Sequence, residues 1–133
     1  MHDEAPLATA TALLDALPTA EMAYVHVMLA DAFSPHLNGA GDPAQILPTL
    51  RPHVKGALIA AGNLDKDKAE ALLEAGTIQG AVFGRPFIAN ADLVERLKAG
   101  VELAEPKAEL FYTPGPEGYS DYPVSYKTAA DDA

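Results

Sequence analysis

Two glycine-containing turns are the positions in this chain where a phosphate group could bind. Gly62 and Asn63 directly follow one apolar run, and Gly84 and Arg85 directly follow the next. Glycine lets a phosphate oxygen approach backbone amides, and arginine adds a permanently charged fork of donors. One glycine after a strand is usually plain turn chemistry. Two such turns in consecutive strand–helix units, with an arginine in the second, indicate a phosphate site.

The other polar residues give weaker indications of chemistry. The histidines show no metal-ligand spacing, and His26, inside an apolar run, is expected to be a buried core residue. No serine stands in a nucleophile elbow, and the absence of cysteine excludes thiolate sites and disulfides. Phe111 and Tyr112 could cover a flat cofactor, although the residues alone favour ordinary packing. We therefore predict neither a catalytic residue nor a metal site here.

Three short apolar runs predict β-strands, at residues 22–29, 56–61 and 78–83. Their composition is typical of parallel strands buried on both faces. Capping residues, prolines and glycines predict helices before, between and after these strands, with Gly76 and Gly100 ending the third and the last helix. The predicted apolar stripes of the first and third helices consist of leucines and one alanine: Leu7, Leu13, Leu14 and Leu17, then Ala69, Leu72 and Leu73. The predicted helix starts are Asp3 or Glu4, Asp42, Asp65, and Asn90 or Asp92.

The alternation of helices and strands predicts an α/β fold with parallel strands joined by right-handed crossovers. Three such strands fit either a small doubly wound sheet or a segment of a (β/α)8 TIM barrel, and periodicity does not choose between them. Barrel phosphate sites often use the loops after the last two strands, which is where Gly62, Gly84 and Arg85 would lie. From residue 103 the alternation stops, and a segment rich in proline and tyrosine predicts an extended tail.

Composition limits the classes of partner. A chain of 133 residues with 9 Lys+Arg against 19 Asp+Glu has a formal charge of −10, which disfavours nucleic acid binding. No apolar stretch is long enough to span a bilayer, and the first residues lack the basic region of a signal peptide. We expect a soluble cytoplasmic protein without a nucleic acid or membrane partner.

Four motifs resemble, in order and spacing, the C-terminal portion of the old yellow enzyme family of ene-reductases. They are residues 60–63 (AAGN), 82–90 (VFGRPFIAN), 111–113 (FYT) and 118–123 (GYSDYP). Residues 23–27 (AYVHV) are similar to the sixth strand of that family. The resemblance covers nearly all of this chain but only about the last third of a family member.

The resemblance implies the last three βα units of a (β/α)8 barrel in residues 1–102 and an extended tail over the barrel mouth in residues 103–133. It implies non-covalent FMN, NAD(P)H as reductant, and an enone-type substrate whose activated C=C bond is reduced. The residues it assigns to FMN are Gly62, Asn63, Val82, Gly84 and Arg85 around the phosphate, with Phe111 and Tyr112 near the flavin ring.

The resemblance also implies what this chain lacks. In that family the catalytic residues come from the first five strands, and none of these precedes Met1. Three strands of eight cannot close a barrel, so their outer edges and inner face should bind a complementary N-terminal barrel fragment, or a second copy. The leading hypothesis is a fragment of an FMN-dependent oxidoreductase that is inactive alone. The alternatives are a self-associating, non-catalytic FMN- or phosphate-binding module and a fragment without function.

Overall fold

The computed structural model describes residues 3–29 and 42–122. The loop predicted between the first strand and the second helix, and the end of the tail from residue 123, lie outside these ranges. The chain divides into two compact units, Met1–Val82 and Phe83–Ala133. The partition into a barrel part and a tail at residue 103 stays a prediction.

The first unit contains a three-stranded parallel sheet. The strands are β1 (Val25–Met28), β2 (Leu58–Ala61) and β3 (Gly80–Val82), and their spatial order follows the sequence. In register, Val27 lies opposite Ala60 on the neighbouring strand. The predicted α/β fold with parallel strands is confirmed, although each strand is shorter than predicted.

Each of the first two helices begins at a proline, and the second also contains a proline that limits its length. Helix α1 spans Pro6–Ala16 and α2 spans Pro43–Leu50. The Asp42 carboxylate caps α2 by accepting a hydrogen bond from the Ala44 backbone N–H at 3.0 Å. Pro48 cannot donate a backbone hydrogen bond, and α2 ends after two turns, where the chain continues as a 3₁₀ helix over Arg51–His53.

Helix α3 spans Lys66–Glu74 and has defined caps at both ends. At its start the Asp65 carboxylate accepts a hydrogen bond from the Lys68 backbone N–H at 2.9 Å. At its end Gly76 adopts a left-handed φ of +68°, and the next backbone N–H donates to the Leu72 carbonyl. This is the predicted glycine stop of the helix.

One face of the sheet carries the core of the first unit. Leu58 and Ala60 of β2 are fully buried beneath apolar residues of all three helices. The cluster consists of Leu14, Leu29, Leu47, Leu50, Val54, Leu58, Ala60, Leu72 and Ile78. Helices on one face of a sequentially ordered parallel sheet are the arrangement that consecutive units of a (β/α)8 barrel require.

The opposite face of the sheet is much more exposed. It carries His26 and Met28, with Met28 74% exposed, beside the half-buried Ile59 and Val82. Two predictions are therefore wrong: β1 is not buried on both faces, and His26 is not a core residue. Successive side chains of a strand alternate between faces, and α1, α2 and α3 contribute to the core of the other face.

Parts of the predicted helix stripes are also exposed. In α1 only Leu14 is buried, whereas Leu13 is 57% exposed and Leu7 and Leu17 are exposed by more than a third. In α3, Leu73 is 41% exposed. The predicted stripes are wider than the strip of each helix that contacts the sheet.

The second unit begins directly after β3. It contains α4 (Arg85–Ala89), α5 (Leu93–Ala99) and a 3₁₀ helix at Ala108–Leu110. Gly100, with a left-handed φ of +66°, ends α5 as predicted. The tail is not extended throughout, because turns follow the 3₁₀ helix up to residue 120. Within the described ranges, no helix is both long and apolar enough to cross a membrane.

Candidate functional site

The connection after β2 has a backbone that only glycine fits at its first position. Gly62 has φ +86°, and Asn63 has φ +52°. A Cβ at residue 62 would lie 2.1 Å from the Leu29 carbonyl oxygen. The Leu29 backbone N–H donates to the Ala61 carbonyl at 2.8 Å, which holds the two backbones together. Gly62 is therefore required by the sheet itself.

Asn63 and Val82 lie near Gly62 at the carboxyl edge of this sheet. Val82 pairs in register with Ala61, the residue before Gly62. Asn63 is exposed and accepts the left-handed conformation more readily than most residues. The first unit thus brings three of the predicted cofactor residues to one sheet edge, where ligands of parallel α/β folds bind.

The same connection continues into a charged helix start. Asp65 follows the turn and caps α3. The hydrogen bond from the Lys68 backbone N–H is the main cause that lowers the pKa of the Asp65 carboxyl from its ordinary value. The Lys68 ammonium adds a 3.3 Å ion pair with the same carboxylate. A backbone N–H at the start of α3 thus has a hydrogen-bond partner within the protein, the Asp65 carboxylate.

The connection after β3 has a different backbone. Gly84 has a negative φ of −89°, and a Cβ placed on it would meet no atom within 4 Å in the part of the chain that the structure describes. Arg85, the first residue of α4, is half-buried. Neither the φ of residue 84 nor its described neighbours require glycine. The position has the open backbone that a phosphate oxygen could approach.

Phe111 and Tyr112 lie in a constrained loop of the second unit. Phe111 is half-buried, whereas Tyr112 is 99% exposed, so the expectation of ordinary packing is wrong for Tyr112. Gly118 lies against Leu110, where a Cβ would come within 2.6 Å of the leucine side chain. The Gly118 backbone N–H donates to the Asp121 carboxylate at 2.8 Å. The loop therefore holds Gly118 against Leu110 and leaves the Tyr112 ring exposed.

Asn90 is the residue near the candidate site that sequence reasoning missed. The sequence predicts at most a helix cap at this position, but the side chain is fully buried and forms hydrogen bonds with Pro86 and Ala104. A polar residue directly after the apolar residues 87–89 was the available signal. In residues 3–29 and 42–122 no cluster of histidine and acidic side chains is placed to hold a metal ion.

A family model described as NADH:flavin oxidoreductase / NADH oxidase matches residues 1–104. The chain belongs to this family. A probable flavin mononucleotide-dependent alkene reductase from Leishmania infantum is 36% identical over 121 residues, which are 91% of this chain and 31% of that protein. The predicted family is confirmed, and it is one of flavin-dependent oxidoreductases.

Solved structures agree with this assignment. The old yellow enzyme from Trypanosoma cruzi matches with a TM-score of 0.81 and 31% identity over 95% of this chain. Morphinone reductase matches with a TM-score of 0.77 and 38% identity over 94% of this chain. The chain spans about a third, 32%, of each of these two structures.

Proposed function

We propose that this chain supplies the FMN phosphate-binding portion of an FMN-dependent ene-reductase, as the last three βα units of its (β/α)8 barrel. Family membership supports the cofactor class, and the sequential parallel sheet with helices on one face supports the barrel. FMN, bound non-covalently, would supply the hydride chemistry between NAD(P)H and an activated C=C bond such as that of an enone. We assign no catalytic residue to this chain.

The Gly84–Arg85 connection is the observation that carries the proposal. Glycine at position 84 is not explained by a positive φ or by any described neighbour, and a guanidinium follows it. A phosphate dianion would use both features, because backbone N–H groups can approach it at glycine and arginine can bind it with two parallel hydrogen bonds. No other connection in the described ranges combines an uncrowded glycine with an arginine.

The other proposed cofactor residues have smaller roles. The backbone at Gly62, Asn63 and Val82, at the carboxyl edge of the sheet, would help to bind the FMN phosphate. Phe111 and Tyr112 would contact the flavin ring. The near-complete exposure of Tyr112 leaves its ring open to stack on a flat aromatic cofactor.

We propose that further strands complete this sheet, either in another chain or elsewhere in the same protein. The exposed face carrying His26 and Met28, and the chain's span of about a third of its relatives, support this. A completed barrel would bury that face and bind NAD(P)H and the enone substrate. The expected inactivity of this chain by itself, and its cytoplasmic location, stay predictions.

The phosphate assignment is tested by comparing FMN with riboflavin, which lacks the phosphate. Arg85→Ala should weaken FMN binding by about tenfold to a hundredfold, because a charge-assisted bond contributes roughly 1.5–3 kcal/mol, and should leave riboflavin binding unchanged. Arg85→Lys is the matched control that retains the charge and should lose less. Flavin fluorescence titration measures both affinities, and an unaltered FMN affinity in Arg85→Ala would contradict the assignment.

The completion of the barrel is tested by native mass spectrometry of the purified chain. A co-purifying chain that carries the missing strands, with FMN bound, would support the proposal. A homo-oligomer that binds FMN but reduces nothing would favour the self-associating module instead. NADPH-dependent reduction of an enone by the unaccompanied chain with added FMN would show that no completing strands are needed.

A further inference from the structure

We infer that Asn90 is a positioning residue that fixes the Arg85 turn and the Phe111–Tyr112 segment to each other. The inference rests on the proposed function of Arg85. Asn90 is fully buried, and its side chain makes three hydrogen bonds of 2.8–3.0 Å. All three lie within the second unit of the molecule.

The bonds of Asn90 use both ends of its amide. Its Nδ2 donates to the Pro86 carbonyl at 2.9 Å and to the Ala104 carbonyl at 3.0 Å. Its Oδ1 accepts from the Ala104 backbone N–H at 2.8 Å. A single side chain thus pairs with both backbone groups of Ala104, as a neighbouring strand would. A carboxylate at this place would keep the acceptor, lose both donors and face two carbonyl oxygens.

Asn90 links the Arg85 turn to the segment that begins at Ala104, and we assign FMN contacts to both. Pro86 directly follows Arg85 in α4, and its carbonyl also accepts from the Asn90 backbone N–H at 3.0 Å. Helix α4 has only five residues, too few to be stable without tertiary contacts. Ala104 begins the segment that leads through a 3₁₀ helix to Phe111. Loss of the link should therefore misplace the phosphate-binding arginine more than it weakens flavin-ring contacts.

The test is the ratio of FMN to riboflavin affinity in the full chain and in any complex with which it co-purifies. Asn90→Asp is isosteric and removes both donors, and Asn90→Ala removes all three bonds. Each should lower the ratio by roughly threefold to tenfold, the equivalent of a lost hydrogen bond. Amide exchange should rise at Ala104 in Asn90→Ala, which removes the acceptor of the Ala104 N–H. Far-UV circular dichroism checks that the variants fold.

Arg96→Met is the matched control. Arg96 is also buried, and it donates to the Asp92 carboxylate at 2.8 Å and to the Glu102 carbonyl at 3.2 Å, two partners that lie outside α4. This variant should change FMN and riboflavin affinity equally. An unaltered ratio in Asn90→Asp, or loss of folding in both Asn90 variants, would make Asn90 merely structural and overturn the inference. A wild-type chain without any preference for FMN would overturn the proposed function, and this inference with it.

Discussion

After β2, Gly62 lies in the left-handed region with the Leu29 carbonyl oxygen 2.1 Å from where its Cβ would be. After β3, Gly84 has a negative φ, and a Cβ placed on it would meet no atom of the described structure within 4 Å. The helices that follow the two turns also differ in length and capping. Asp65 caps the nine-residue α3, whereas no side chain caps the five-residue α4 in the described chain.

The difference separates two reasons for a glycine at the end of a strand. Gly62 is needed so that two backbones can approach each other, whatever ligand the protein binds. Gly84 has neither a positive φ nor a described neighbour that excludes a side chain, and the proposed function assigns its open backbone to a phosphate oxygen. In the sequence both glycines directly follow an apolar run, so the pattern does not distinguish between them. Substitutions at each position can separate stability from binding.

Gly62→Ala should have the largest effect on stability. The added methyl group would overlap the Leu29 carbonyl, and alanine would be strained at φ +86°, so we expect a loss of more than about 3 kcal/mol in the free energy of unfolding. Urea unfolding followed by circular dichroism measures this loss. A stable, unaltered Gly62→Ala variant would remove the distinction between the two glycines.

Gly84→Ala should leave stability nearly unchanged and weaken FMN binding. A methyl group here meets no described neighbour, so the free energy of unfolding should change by less than about 1 kcal/mol. The same methyl group would obstruct a phosphate oxygen, and we expect about a tenfold loss of FMN affinity, the equivalent of one weakened charge-assisted bond. Riboflavin affinity is the control. Equal losses for both flavins would argue against a phosphate at this turn.

Asp65→Ala should have the smallest effect, about 1 kcal/mol, through loss of the helix cap. The pKa of Asp65 is lowered in the folded chain by the Lys68 backbone bond. Its contribution to stability is therefore present above its ordinary pKa of 3.8 and is lost as the pH falls through the lower folded value. Urea unfolding at neutral pH and near pH 3 should show a smaller difference between wild type and Asp65→Ala at the acid pH. A constant difference would mean that the carboxylate charge does not contribute to the cap.

Local signals in the sequence predicted most of the elements correctly. Prolines and caps such as Asp42 and Asp65 act on adjacent backbone, so the helix starts follow directly from residue type. The glycine stops of α3 and α5 follow in the same way. The order of four motifs is specific enough to identify the family from the sequence alone.

Burial was predicted less well, because it depends on what lies across each face. Apolar composition indicated that His26 and Leu73 belong to the core, and both are exposed. A strand or helix buries a side chain only where another element packs against it, and that neighbour is distant in sequence. The buried Asn90 was missed for the same reason, since its partner Ala104 is fourteen residues away.

The sequence by itself therefore determined the alternation of elements, the ends of most helices and the family, because these depend on adjacent residues and on the order of motifs. The predicted start of the first helix at Asp3 or Glu4 is wrong, because Ala5 precedes the first helical residue, Pro6. The tertiary structure decided which face of the sheet is covered, why Gly62 must be glycine and that Gly84 is not so constrained. These properties arise from atoms brought together across the chain. Only the fold sets the distance between the backbone of residue 62 and the carbonyl of Leu29.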